Sequence, residues 1–78
     1  MSKKKVSRKR SPILVAFGTK VRMRRYELNL TQEELAERAN FHVNYIGNIE
    51  RAEINISLER LFELAKALEI SPSMLILD

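Results

Sequence analysis

The chain is expected to fold as an all-α domain of five helices, and three observations lead there. Apolar residues recur at three- and four-residue spacing through most of the sequence, and nothing alternates long enough to make a confident strand. Residues 31–50 carry the start, turn and restart signals of two short helices in tight succession. Ser57 and the Ser71-Pro72 pair supply further helix starts downstream. With 78 residues and no cysteine, the chain forms one domain near the lower size for a lone core, without disulfide or thiolate staples.

Taken in order, residues 1–12 read as a flexible basic arm and residues 13–78 as the folded domain. The first ten residues hold Lys3, Lys4, Lys5, Arg8, Lys9 and Arg10 and no acid, although the whole chain carries only +4. The remainder therefore has a slight acidic excess, and the pull toward a polyanion is concentrated in the arm. Such an arm is solvated in the free protein and suited to phosphates or a minor groove. Proline at position 12 ends it.

The first helix is expected from Leu14 to Asn29, with Leu14, Phe17, Val21 and Leu28 in one stripe and Gly18 as a mild weakness. The second runs from about Gln32 to Ala39. Thr31 and Glu34 form a T-x-x-E capping box, each side chain satisfying a backbone N–H at the helix start. Leu35, Ala36 and Ala39 share its inner face. Asn40 is the turn, because asparagine tolerates a left-handed backbone better than most residues. The third helix runs from about Val43 to Glu50, with Ile46 and Ile49 inward. These two helices have the pattern of a helix-turn-helix, whose second helix enters the DNA major groove. A loop over residues 51–56 leads to a fourth helix, capped by Ser57 and reaching Leu68. Its apolar face is Leu58, Leu61, Phe62, Leu64, Ala65 and Leu68. Ser71-Pro72 opens a short fifth helix that ends at Leu77.

From about Phe17 to Leu77 the chain resembles the DNA-binding domains of the Cro and phage-repressor family. Four segments carry the resemblance: Val21-Arg22-Met23-Arg24-Arg25, Leu30 through Ala36, Tyr45 through Arg51, and Ile56-Ser57-Leu58 through Ala67-Leu68. The Tyr45-Ile46 pair and Asn55-Ile56-Ser57-Leu58 look most like the controller proteins of restriction–modification systems. The resemblance implies a five-helix, lambda-repressor-like fold. Two positions depart from the family pattern, which favours glycine where this chain has Asn40 and Ala52.

Specificity and affinity belong to different residues in such an interface. With Ile46 and Ile49 inward, Val43, Asn44, Gly47 and Asn48 look outward and are the candidate base readers. Asparagine can pair with adenine N6 and N7, and valine can touch a thymine methyl. Glycine inside a helix costs about 1 kcal/mol against alanine, a cost that close approach to the duplex would justify. Gln32 is either a phosphate clamp, as the resemblance implies, or a plain first-turn residue completing the cap. His42 is a cap or a phosphate contact. Tyr45 either reaches a phosphate through its hydroxyl or packs at the domain edge. Arg51, Asn55 and Ser57 are candidates for a second phosphate clamp. By resemblance, Arg25 and Glu50 form an ion pair between the first and third helices. Met74, Leu75, Ile76 and Leu77 either close the core or form the interface of a homodimer.

The expected function is that of a dimeric, sequence-specific transcription regulator acting on double-stranded DNA with inverted half-sites. The alternative is an interaction module of the same fold, such as an antitoxin. No nucleophile–base pair, phosphate-binding glycine loop or metal-ligand spacing suggests an enzyme, a metal site or a cofactor. The acidic residues Glu33, Glu34 and Glu37 leave RNA polymerase open as a partner, since some members of the family that the chain resembles use an acidic second helix for it. No apolar run approaches a membrane span and no secretory signal follows the basic start, so a cytoplasmic protein without small-molecule ligand is expected.

Overall fold

The computed structural model describes residues 11–77, and they form five helices without a strand among them. These are α1 (Pro12–Glu27), α2 (Gln32–Ala39), α3 (Val43–Glu50), α4 (Leu58–Ala67) and α5 (Ser73–Ile76). Expectations about the basic arm fall mostly on residues 1–10, outside the described residues. Pro12 does not end an arm. It is the first residue of α1, with Ser11 as N-cap accepting a 3.4 Å bond from the Leu14 amide. Proline suits that position because its missing N–H would have no partner there in any case.

The helix-turn-helix forms as its local signals direct. Thr31 Oγ1 accepts from the Glu34 amide at 3.0 Å, and Glu34 Oε1 accepts from the Thr31 amide at 2.8 Å. Asn40 adopts the left-handed conformation (φ 61°, ψ 42°), which turns the chain from α2 into α3. Phe41 N–H then returns to the Ala36 carbonyl at 2.8 Å, closing the end of α2. The same closure ends α1, α3 and α4, through Asn29, Ala52 and Glu69 at positive φ. At the second position departing from the family pattern, Ala52 takes a φ of 63°, at a cost of about 1–2 kcal/mol that glycine would avoid.

The core gathers Phe17 and Val21 of α1, Leu35, Ala36 and Ala39 of α2, and Ile46 and Ile49 of α3. Leu61, Leu64, Ala65, Ala67 and Leu68 join from α4 and its end, and Leu75 from α5. α1 packs on α3 and α5, while α2 packs on α3 and α4, so α3 is held from two sides. Two arginines tie the C-terminal end of α4 to the rest. Arg24 donates to the Leu68 and Glu69 carbonyls, and Arg38 donates to the Ala67 carbonyl and the Glu69 carboxylate. Cations are favourable there because the carbonyl end of a helix is its negative pole.

Three expectations need correction. α1 ends at Glu27 rather than Asn29, because Asn29 takes the left-handed turn. Leu58 and Phe62 leave the inner face of α4 and stand exposed; the buried face is the narrower one of Leu61, Leu64, Ala65 and Leu68. Gly18 is no weakness but a packing requirement. A Cβ there would lie 2.5 Å from the Ile49 carbonyl oxygen, so only glycine lets α1 cross the end of α3 this closely.

Candidate nucleic-acid interface

Local signals mount α3 on the domain, and one buried charge fixes its angle. Glu50, at the last turn of α3, is only 5% exposed, and Arg25 of α1 only 8%. Two parallel bonds join them, Nε to Oε2 at 2.7 Å and Nη2 to Oε1 at 2.9 Å. Arg25 Nη1 donates to the Leu30 carbonyl at 2.9 Å, which ties the connection between α1 and α2 into the same cluster. Hydrogen bonding to Glu50 raises the Arg25 pKa above its ordinary value, against the opposing effect of burial. The guanidinium is charged at every pH the protein meets.

Two more side chains converge on Glu50. Gln32 Nε2 donates to Oε1 at 3.1 Å, and Arg22 Nη2 donates to the Glu50 backbone carbonyl at 2.8 Å. Gln32, open in the sequence between a phosphate clamp and a first-turn residue, here joins the first turn of α2 to the last turn of α3. Arg22 was not anticipated, although it lies three residues before Arg25 and so shares its helical face. All buried side-chain polar atoms among the described residues have partners, as a buried charge cluster requires.

The face of α3 opposite the core is narrower than the sequence suggests. Asn44 is exposed, and helical spacing places Asn48 and Arg51 along the same edge. Asn48 is half-buried, and its Oδ1 accepts from Arg51 Nη2 at 2.7 Å. Arg51 also holds Glu53, Nε to Oε1 at 3.1 Å. Gly47 was expected to look outward, but it is buried beneath Arg51, whose Nη1 would lie 3.0 Å from an added Cβ. Val43 leans partly on the core. Of the four candidate base readers, Asn44 is the one presented openly.

The flanks of α3 are also defined. His42 is the N-cap, its Nδ1 accepting from the Asn44 amide at 3.1 Å, so the cap role is filled. Tyr45 packs edge-on against Phe41, ring centroids 5.2 Å apart at 86°, which is the packing role left open for it. The Arg60 guanidinium lies over the same two rings, 5.0 Å from the Tyr45 centroid and 5.8 Å from that of Phe41. Ser57 caps α4 by accepting from the Arg60 amide at 3.1 Å, and Asn55 is exposed in the loop before it.

At the far end, Leu75 is fully buried and belongs to the monomer core, which removes it from the expected dimer surface. Met74, Ile76 and Leu77 remain exposed around it. Ile13 and Met23 of α1, also exposed, border shallow grooves beside them. No group of acidic, histidine or cysteine side chains among the described residues could hold a metal ion. No helix among them is long and apolar enough to cross a membrane.

Comparison with known proteins agrees with this geometry. Residues 21–75 match the helix-turn-helix family. Control protein C.BamHI of Bacillus amyloliquefaciens is 40% identical over 65 residues, covering 82% of this chain and 80% of that protein. The crystal structure of the restriction–modification controller protein C.AhdI from Aeromonas hydrophila superposes with a TM-score of 0.78 at 40% identity, over 80% of this chain and 94% of that one. A second structure is the controller protein C.Esp1396I, solved as a tetramer with its natural 35-base-pair operator. It aligns with a TM-score of 0.77 at 32% identity, over 83% of this chain and 86% of that one. The chain belongs to the helix-turn-helix family of transcription regulators, alongside the restriction–modification controller proteins.

Proposed function

We propose that the protein is a dimeric regulator that inserts α3 into the major groove of inverted-repeat operators on double-stranded DNA. The observation that carries the reading is the rigid mounting of α3. One end is set by the Asn40 turn and the His42 cap, the other by the Arg25–Glu50 pair with Gln32, and Asn44 is left open between them. A reading element held this firmly loses little freedom on binding. The operator complex of C.Esp1396I supports the same use of the fold.

In this reading Asn44 reads a base edge directly. Arg51 exchanges Asn48 and Glu53 for a phosphate, which frees the Asn48 amide to read a second base. Both partners of Arg51 are exposed or half-exposed, so the exchange costs little. His42, Asn55, Ser57 and the start of α2 flank the groove as backbone contacts. Gln32 supports them from behind through Glu50. A second copy covers Met74, Ile76 and Leu77, which places two recognition helices about 34 Å apart, one turn of the duplex. Glu33 and Glu37, exposed on α2 four residues apart, are the surface available to RNA polymerase. A regulator of this kind works in the cytoplasm.

Replacing Asn44 by alanine tests the assignment. With Asn44 present twice in the dimer, affinity for an operator duplex is expected to fall by about 2–6 kcal/mol, roughly thirtyfold or more, with no change on random-sequence duplex. Titration by fluorescence anisotropy measures both. Equal losses on the two duplexes, or none on either, would remove Asn44 as a base reader.

A further inference from the structure

Arg60 stands apart from the other arginines of the described fold. Arg22, Arg24, Arg25, Arg38 and Arg51 each have a hydrogen-bonded or ion-paired acceptor. The Arg60 side chain has no such acceptor among the described residues; it contacts only the Phe41 and Tyr45 rings. Acids are close in sequence. Glu59 precedes it, and Glu63 lies at the three-residue spacing that commonly gives an ion pair on a helix, yet neither pairs with it. The guanidinium instead leans across from α4 onto the turn and recognition helix of the helix-turn-helix.

We propose that Arg60 is a DNA-backbone contact, a guanidinium held against the Phe41 and Tyr45 rings so that its N–H donors meet a phosphate at the edge of α3. The inference rests on the DNA-binding reading above. Contact with an aromatic face steadies the cation without supplying an acceptor, so its planar fork of donors is still available to an anion. The phosphate is the fitting partner because a guanidinium binds two phosphate oxygens at once. Position agrees with the chemistry. Arg60 lies in the first turn of α4, where its own amide is held by Ser57, and exposed Asn55 and Ser57 precede it. The rings it touches belong to the start and flank of the recognition helix. Arg60 therefore extends the second clamp by one residue, and it couples the clamp to the helix that reads bases.

Salt dependence separates this role from simple bracing of the rings. Each phosphate contact contributes about 0.9 to the slope of log affinity against log salt. Arg60→Gln in the full chain, present twice in a dimer, is expected to lower the slope magnitude by about two. Between roughly 50 and 200 mM salt, the unsubstituted protein should then lose about tenfold more affinity than the variant. The change is expected on both a selected operator duplex and a random-sequence duplex, and Arg60→Lys is expected to retain the slope. An Arg60→Gln slope equal to that of the unsubstituted protein would overturn the proposal and leave Arg60 as a brace. Failure of the unsubstituted protein to bind either duplex would instead overturn the DNA-binding reading, and this proposal with it.

Discussion

Replacing Glu50 by alanine is expected to destabilise the fold by about 3–5 kcal/mol, because it leaves Arg25 charged, buried and without its counter-ion. Total stabilities are only about 5–15 kcal/mol, so the loss removes a large share of the total. The loss reaches further than one pair. Gln32 loses its acceptor, and the ties from α1 and α2 to the last turn of α3 are weakened together. Urea unfolding at fixed protein concentration measures the effect. The pair itself is not a large net source of stability, since desolvation of both charges offsets much of their attraction. The double variant Arg25→Met with Glu50→Leu should therefore be less destabilised than the sum of its single variants by more than about 1 kcal/mol. Additive single effects would show that the two side chains act independently, contrary to their bidentate geometry.

Gly18→Ala is expected to destabilise by about 1–3 kcal/mol or more, although helix propensity alone favours alanine by about 1 kcal/mol. The added methyl would meet the Ile49 carbonyl oxygen at 2.5 Å, the Glu50 carbonyl oxygen at 2.9 Å and the Glu50 carbonyl carbon at 3.2 Å. All three are backbone atoms in a hydrogen-bonded helix end, so relief requires moving α1 off α3. That movement also strains the bond from Arg22 to the Glu50 carbonyl. Gly47→Ala is the control within the same molecule. Its methyl would meet only the guanidinium end of Arg51, a long exposed side chain that can swing away. The two glycines should thus respond in opposite directions in thermal unfolding, Gly18→Ala lower and Gly47→Ala unchanged or higher. A Gly18→Ala protein as stable as the parent would mean that α1 does not cross α3 this closely.

The contrast between these glycines shows what the sequence could disclose. Both stand in helices, and nothing in their neighbours marks one as a crossing point and the other as a seat for Arg51. Features set by residues three or four apart were legible: the Thr31–Glu34 box, the Asn40 turn, the Ser57 cap and the buried Ile46–Ile49 pair. The physics of those features is local, so the signal is complete within a few residues. The Gln32 bond to Glu50 spans 18 residues and depends on how α2 meets the end of α3. Leu58 was misplaced, and Leu75 was left undecided, for a related reason. Periodicity shows that a helix has an apolar face, not how wide a neighbour covers it, and here Leu58 is left out while Leu75 is taken in. In the candidate interface, the outward edge of α3 followed from the position of its inward residues. The occupation of that edge by Arg51, and the approach of Arg60 from α4, required the fold.

The central claim is that α3, presented twice by a symmetric dimer, reads DNA sequence. Selection from a random duplex pool with the full-length protein at near-physiological salt, followed by sequencing of the retained DNA, tests it most directly. The expected result is an inverted repeat with half-site centres about 10 base pairs apart, containing an adenine whose identity ceases to matter in Asn44→Ala. Retention of DNA with no enriched sequence would contradict the claim, and would place the affinity in the basic residues 3–10 rather than in the recognition helix.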